Sequence, residues 1–135
     1  MKQAYKDIAA RVATANAANP NPLRSALTDL FVNHPGVKPH DKCSPATSKM
    51  SRYTLANGKS LGHEIGVPAQ HLWFAATAPL PDCANGQARL YPATEGGKGR
   101  HSNVNQMPDL RDKPVARLTL TSLEEAKTLL NQLLA

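Results

Sequence analysis

The chain has 135 residues, with 16 Lys and Arg against 10 Asp and Glu, giving a formal net charge of +6. No apolar run approaches the roughly 20 residues that a bilayer span requires, and two cysteines cannot staple a chain of this length, so a membrane-spanning protein and a disulfide-dense scaffold are excluded. Leu, Ile, Val and Phe total 26 residues beside 20 Ala and six aromatics, which favours one small core over two in a single domain.

Lys2 to about Ala18 reads as a helix, because Tyr5, Ile8, Val12 and Ala15 recur at three- and four-residue steps in an Ala-rich background. Charges at Lys2, Lys6, Asp7 and Arg11 interrupt the apolar stretch that a secretory signal needs. A cytoplasmic location is therefore expected, with Cys43 and Cys83 as free thiols. His40 and Cys43 have ligand-like spacing, but Cys83 has no neighbouring partner, so no metal or other cofactor is expected. Asn19-Pro20-Asn21-Pro22 breaks the first helix, and Pro22 suits the first turn of a second one running to about Asn33. Leu23, Leu27, Leu30 and Phe31 form its buried face, and His34-Pro35-Gly36 stops it.

Residues 35–50 show no period and read as a loop. From Arg52 two readings stand: a β-hairpin of RYTLA and KSLGHEI joined by Asn57-Gly58, or a helix beginning near Lys59. Pro68 to Thr77 reads as helical, broken by Ala78-Pro79-Leu80-Pro81. Ala88–Ala93 reads as a short strand, and 94–114 as a long polar loop that is functional or disordered. Val115–Thr121 alternates as a strand. Ser122 with Glu125 forms a capping box for a last helix whose apolar face is Leu123, Ala126, Leu129, Leu130 and Leu133.

The expected fold is α+β: two N-terminal helices, a small mostly antiparallel sheet and a C-terminal helix packed on it. Residues 1–34 form a helical arm or hairpin, and 35–135 an α+β core with cationic loops, one compact domain overall.

The surplus charge lies in 36–60, at +4, and 86–117, at +3, whereas 61–85 contains no Lys or Arg. This pattern favours a loop-built surface for an anionic partner. Gly58 to Thr77 resembles a helix-turn-helix motif, with Leu61, Ile65 and Val67 inward, Gly66 at the turn and Leu72 anchoring the second helix. The other reading of the same residues is a hairpin followed by a short packed helix. Glu95–Asn105 combines successive glycines with Lys98 and Arg100, a composition suited to holding a phosphate oxygen, although it is no Walker A sequence.

The leading reading is a non-enzymatic binder of duplex DNA or structured RNA. Lys38, Lys42, Lys49, Arg52, Lys59, Lys98 and Arg100 would contact the backbone, and Gln70, His71 and Asn103 would reach bases. The alternative is a metal-independent ribonuclease or toxin-like nuclease centred on His101. Such cleavage needs a base, an acid and a cation, roles open to His101, His71 or His63, and Arg100. Glu64 follows His63, but on a strand the two point to opposite faces. A third reading is a protein-interaction module that uses Trp73-Phe74 and the Ala-rich helix as an apolar patch.

Overall fold

A computed structural model describes residues 2–77, 80–84 and 86–135. Its helices are α1 (Lys2–Ala18), α2 (Pro22–Asn33) and α3 (Leu123–Leu134). Its strands are β1 (Val37–Pro39), β2 (Met50–Leu55), β3 (Ser60–Glu64), β4 (Gln70–Ala75), β5 (Arg89–Tyr91) and β6 (Val115–Leu120). All pairings are antiparallel, in the order β1-β2-β3-β4-β6-β5. The α+β expectation holds.

The helix boundaries follow local chemistry. The Asn21 side chain accepts a hydrogen bond from the Leu23 N–H at 2.9 Å and caps α2, with Pro22 in its first turn. Ser122 accepts from the Glu125 N–H, and Glu125 reaches back to the Thr121 N–H, completing the box that starts α3. Arg24, only 1% exposed, pins the α1–α2 corner to the sheet. Its guanidinium donates to Ile65 O, Val67 O, Asn16 Oδ1 and Asn19 O.

Between Arg52 and Glu64 the hairpin reading holds. Tyr53 pairs with Leu61 and Thr54 with Ser60. Gly58, at φ +85°, turns the chain in a conformation where a Cβ would be strained. Asn57 ties this turn to Leu133 O of α3. The helix-turn-helix resemblance does not survive, because Gly58–Thr77 contains β3 and β4. The helix expected over 68–77 is instead a strand, and Gln70–Ala75 pairs residue by residue with Val115–Leu120. Within the expected breaker, Ala78 and Pro79 lie outside the described residues. The 35–50 segment contributes β1 rather than forming only a loop.

Side chains alternate across the sheet. One face carries Tyr53, Leu55, Leu61, Leu72, Phe74, Ala116, Leu118 and Leu120, which pack on Ile8, Val12, Leu27, Phe31, Ala126, Leu129 and Leu130 of the helices. The outer face carries a second apolar cluster. Met50, Trp73 and Val115 pack there against Val104, Met107 and Leu110 of the polar segment that follows β5. The single-core expectation was therefore too low, because two methionines and a tryptophan supply area that a count of Leu, Ile, Val and Phe omits. Gly62 leaves the space for this packing: a Cβ there would lie 2.8 Å from Met50 Sδ and 3.2 Å from Met107 Cε. No helix among the described residues is long and apolar enough to cross a membrane.

Candidate nucleic-acid interface on the outer sheet face

Register brings the chemistry together. Residues directly opposite one another in an antiparallel pair share a face, with Cβ atoms about 4.5–5.5 Å apart. One outward row crosses the sheet as Met50, Glu64, His71 and Thr119. The adjacent row runs Arg52, Gly62, Trp73, Arg117 and Arg89. The segment over the apolar cluster covers part of this face. His71, Arg117, Tyr91 and His101 remain half-buried, and Arg89 and Lys49 are exposed.

Trp73 is the hub. Its Nε1–H donates to Glu64 Oε1 at 2.9 Å. The Tyr91 ring lies 5.0 Å away, the His101 ring meets it edge-on at 6.2 Å, and the Arg117 guanidinium sits 5.9 Å from its centroid. Arg89 in turn lies 4.9 Å from the Tyr91 centroid. Two arginines are thus held on aromatic faces, with little freedom left to lose on binding. Arg117 Nε is buried without a hydrogen-bond partner, and no carboxylate pairs with Arg117 among the described residues.

The imidazoles on this face are fixed differently. His71 Nδ1 is 2.8 Å from Thr119 Oγ1. Burial and Arg117 lower its pKa, and Glu64 opposes them. His101 Nδ1 accepts the Asn103 N–H at 3.1 Å, so the neutral ring carries its proton on Nε2. Burial lowers its pKa as well, against Glu64 and with help from Lys49 and Arg52.

Several residues singled out in the sequence are placed away from this surface or committed elsewhere. Arg52 is fully buried, donating to Ser44 O, Asn103 O and Gln106 Oε1, and so joins two loops instead of facing solvent. Arg100 is tied to Asn105 and to the carbonyls of Leu110, Arg111 and Lys113. Gln70 is 2% exposed and faces the helices, where it bonds the fully buried His63 at 2.7 Å. His63 is therefore on the opposite side of the sheet from His71 and His101. Asn103 is buried, its Oδ1 accepting from Thr47.

In the glycine-rich loop, the Gly96 N–H donates to the Asp112 carboxylate and the Gly97 N–H to Thr94 O, so both amides are taken by acceptors of the chain itself. Lys38 pairs with Asp41, and Lys42, Lys49, Lys59 and Lys98 are exposed without an ion pair among the described residues. Trp73 and Phe74 are buried on opposite faces and form no surface patch.

Arg89, Arg117 and Tyr91 are the site residues that sequence reasoning passed over, and Glu64 entered it only as the neighbour of His63. The signal for Arg117 was present in the alternation of Val115–Thr121, which places it with Val115 and Thr119 opposite Ala116, Leu118 and Leu120.

A second polar cluster sits at the hairpin end. His40 Nδ1 accepts the Lys42 N–H, so its Nε2–H donates to Ser60 Oγ, which donates to Asp109 Oδ1. The Ser60 proton is directed at a carboxylate and not at the imidazole, which is the wrong order for a nucleophile, and Ser60 is 2% exposed. This relay is a structural tie. No group of three His, Cys, Asp or Glu side chains among the described residues is close enough to hold a metal ion. Comparison with protein-family models, curated proteins and solved structures finds no significant match to this chain.

Proposed function

We propose that the protein binds nucleic acid, with phosphates held on the open part of the outer sheet face by Arg117, Arg89 and Lys49. The observation that carries this reading is Arg117: a guanidinium over the Trp73 ring, with a buried unpartnered Nε and no carboxylate within ion-pair distance among the described residues. A half-buried cation lacking an acid is costly unless an anion completes it. Arg89 extends the cationic row, and Tyr91 adds a partly exposed ring beside it. The exposed Lys42, Lys59 and Lys98 add longer-range attraction.

Trp73 is the sole tryptophan, so its emission reports this surface directly. Titration with RNA and DNA oligonucleotides is expected to change that emission. Three phosphate contacts predict a loss of affinity of about 20–40-fold between ~50 and ~200 mM salt. Arg117→Ala should weaken binding and reduce the salt slope by about one. Binding that is salt-independent, or unaltered in Arg117→Ala, refutes the assignment.

A further inference from the structure

We propose that the same face is catalytic: Glu64 and His71, opposed across β3 and β4, act as base and acid in metal-free cleavage of an RNA phosphodiester seated on Arg117. This inference rests on the nucleic-acid reading above and adds a reaction to it.

The geometry supplies each role. Glu64 is 8% exposed; its Oε1 is anchored by the Trp73 indole and no described residue donates to Oε2, leaving one acceptor held at a fixed angle. His71 is its register partner. One ring nitrogen of His71 is engaged by Thr119, which leaves Nε2 for a ligand. Arg117 stands one row away on β6, the strand next to that of His71, and its charge acts on the His71 ring. His101 has a narrower part than its sequence setting suggests. Its Nδ1 is occupied by the Asn103 amide, so the ring offers a donor at Nε2 and not a lone pair for proton abstraction. His101 is a positioning donor for a phosphate oxygen.

The step balances with these groups alone. Glu64 Oε2 takes the proton of a ribose 2′-hydroxyl as the 2′ oxygen bonds to phosphorus. The bond from phosphorus to the 5′ oxygen breaks, and protonated His71 gives its Nε2 proton to that leaving oxygen. Charge gathering on the non-bridging oxygens is met by Arg117 and the His101 Nε2–H. The products are a 2′,3′-cyclic phosphate and a 5′-hydroxyl end, with Glu64 protonated and His71 neutral until solvent exchange resets them. DNA and 2′-O-methyl RNA lack the nucleophile and should bind uncut.

The test uses the full chain with EDTA and one oligonucleotide sequence made as RNA, 2′-O-methyl RNA and DNA. RNA should be cut to cyclic-phosphate ends, identified by mass spectrometry, while the other two are bound intact. Glu64→Gln, which keeps an oxygen for the Trp73 N–H, and His71→Ala should each lower cleavage about 10²–10⁴-fold. Both should hold affinity for 2′-O-methyl RNA within about 3-fold. Lys127→Ala on α3 should change neither. Wild-type cleavage should also fall as pH rises through the His71 pKa, which lies below the ordinary 6.5 under burial and Arg117 of β6, opposed by Glu64 of β3. Binding without cleavage, or cleavage that survives Glu64→Gln, overturns the catalytic inference and leaves the binding reading standing. Failure to bind any of the three overturns both.

Discussion

Arg52 offers a sharp separation between a phosphate contact and an internal tie. Arg52→Met keeps an unbranched apolar stem of similar reach and removes three charge-assisted hydrogen bonds, to Ser44 O at 2.8 Å, Asn103 O at 2.9 Å and Gln106 Oε1 at 2.7 Å. Gln106 is exposed and regains water, whereas Asn103 O is left in a buried setting. An orphaned buried acceptor costs about 1–3 kcal/mol, and the partly covered Ser44 carbonyl adds a smaller amount. Against this, the guanidinium is fully buried with Nη2 unpartnered, so its removal relieves desolvation.

The net expectation is a loss of about 1–3 kcal/mol, or a fall in Tm of about 3–15 °C for a domain of this size. Circular dichroism melts measure the stability. Trp73 emission, followed well below both melting transitions, measures RNA affinity and its salt slope. The slope should match wild type, since no phosphate contact is removed. A Tm within about 2 °C of wild type, combined with a salt slope lower by about one, would mean that Arg52 reaches phosphate and that the loop-tie argument is wrong.

Two further outcomes test the fold that supports the site. Burial lowers the His63 pKa from 6.5 to about 4, with the Gln70 hydrogen bond opposing and Arg24 assisting. The unfolded chain therefore binds the extra proton first. His63 contributes its full share above pH 6.5, and stability falls as pH drops from about 6.5 to about 4, by up to roughly 3 kcal/mol. Urea midpoints should decline over that window in wild type and decline less in His63→Gln; equal slopes in the two proteins would contradict the assignment. Gly97 has φ +72°, and a Cβ there would land within the Asn105 side chain that positions Arg100. Gly97→Ala should cost at least about 1–2 kcal/mol. It should also speed limited proteolysis between residues 95 and 112, and unchanged cleavage kinetics would contradict this account.

The sites of agreement and of error between sequence and structure share one cause. Periodicity is readable where one face is wet and the other dry, which is why α2, α3 and the alternating β6 stood out. β4 did not, because Leu72, Trp73 and Phe74 are consecutive and all buried, so a strand covered on both faces showed no alternation. Its apolar run then fitted a helix equally well. The 94–114 segment misled in a related way. Its polar composition hid Val104, Met107 and Leu110, three residues apart, which close the second apolar cluster. The strand rule for His63 and Glu64 did hold, and it separates the buried imidazole from the carboxylate of the candidate site.

The sequence by itself determined the α+β class, the two N-terminal helices with their Asn-Pro breaker, the capped last helix and a cationic surplus concentrated in 36–60 and 86–117, and it left the hairpin at Asn57-Gly58 as one of two readings. These are properties of neighbouring residues, set by propensity, capping and period. Only the tertiary structure decided which cations remain available. Arg52, prominent in a basic segment, is consumed in part by a carbonyl 51 residues further on, and Arg100 by carbonyls at the far end of its own segment, whereas Arg117 and Arg89 are lifted onto aromatic rings by the register of three strands. A side chain carries its charge wherever it stands, but its access to a ligand depends on residues far along the chain that the fold brings beside it.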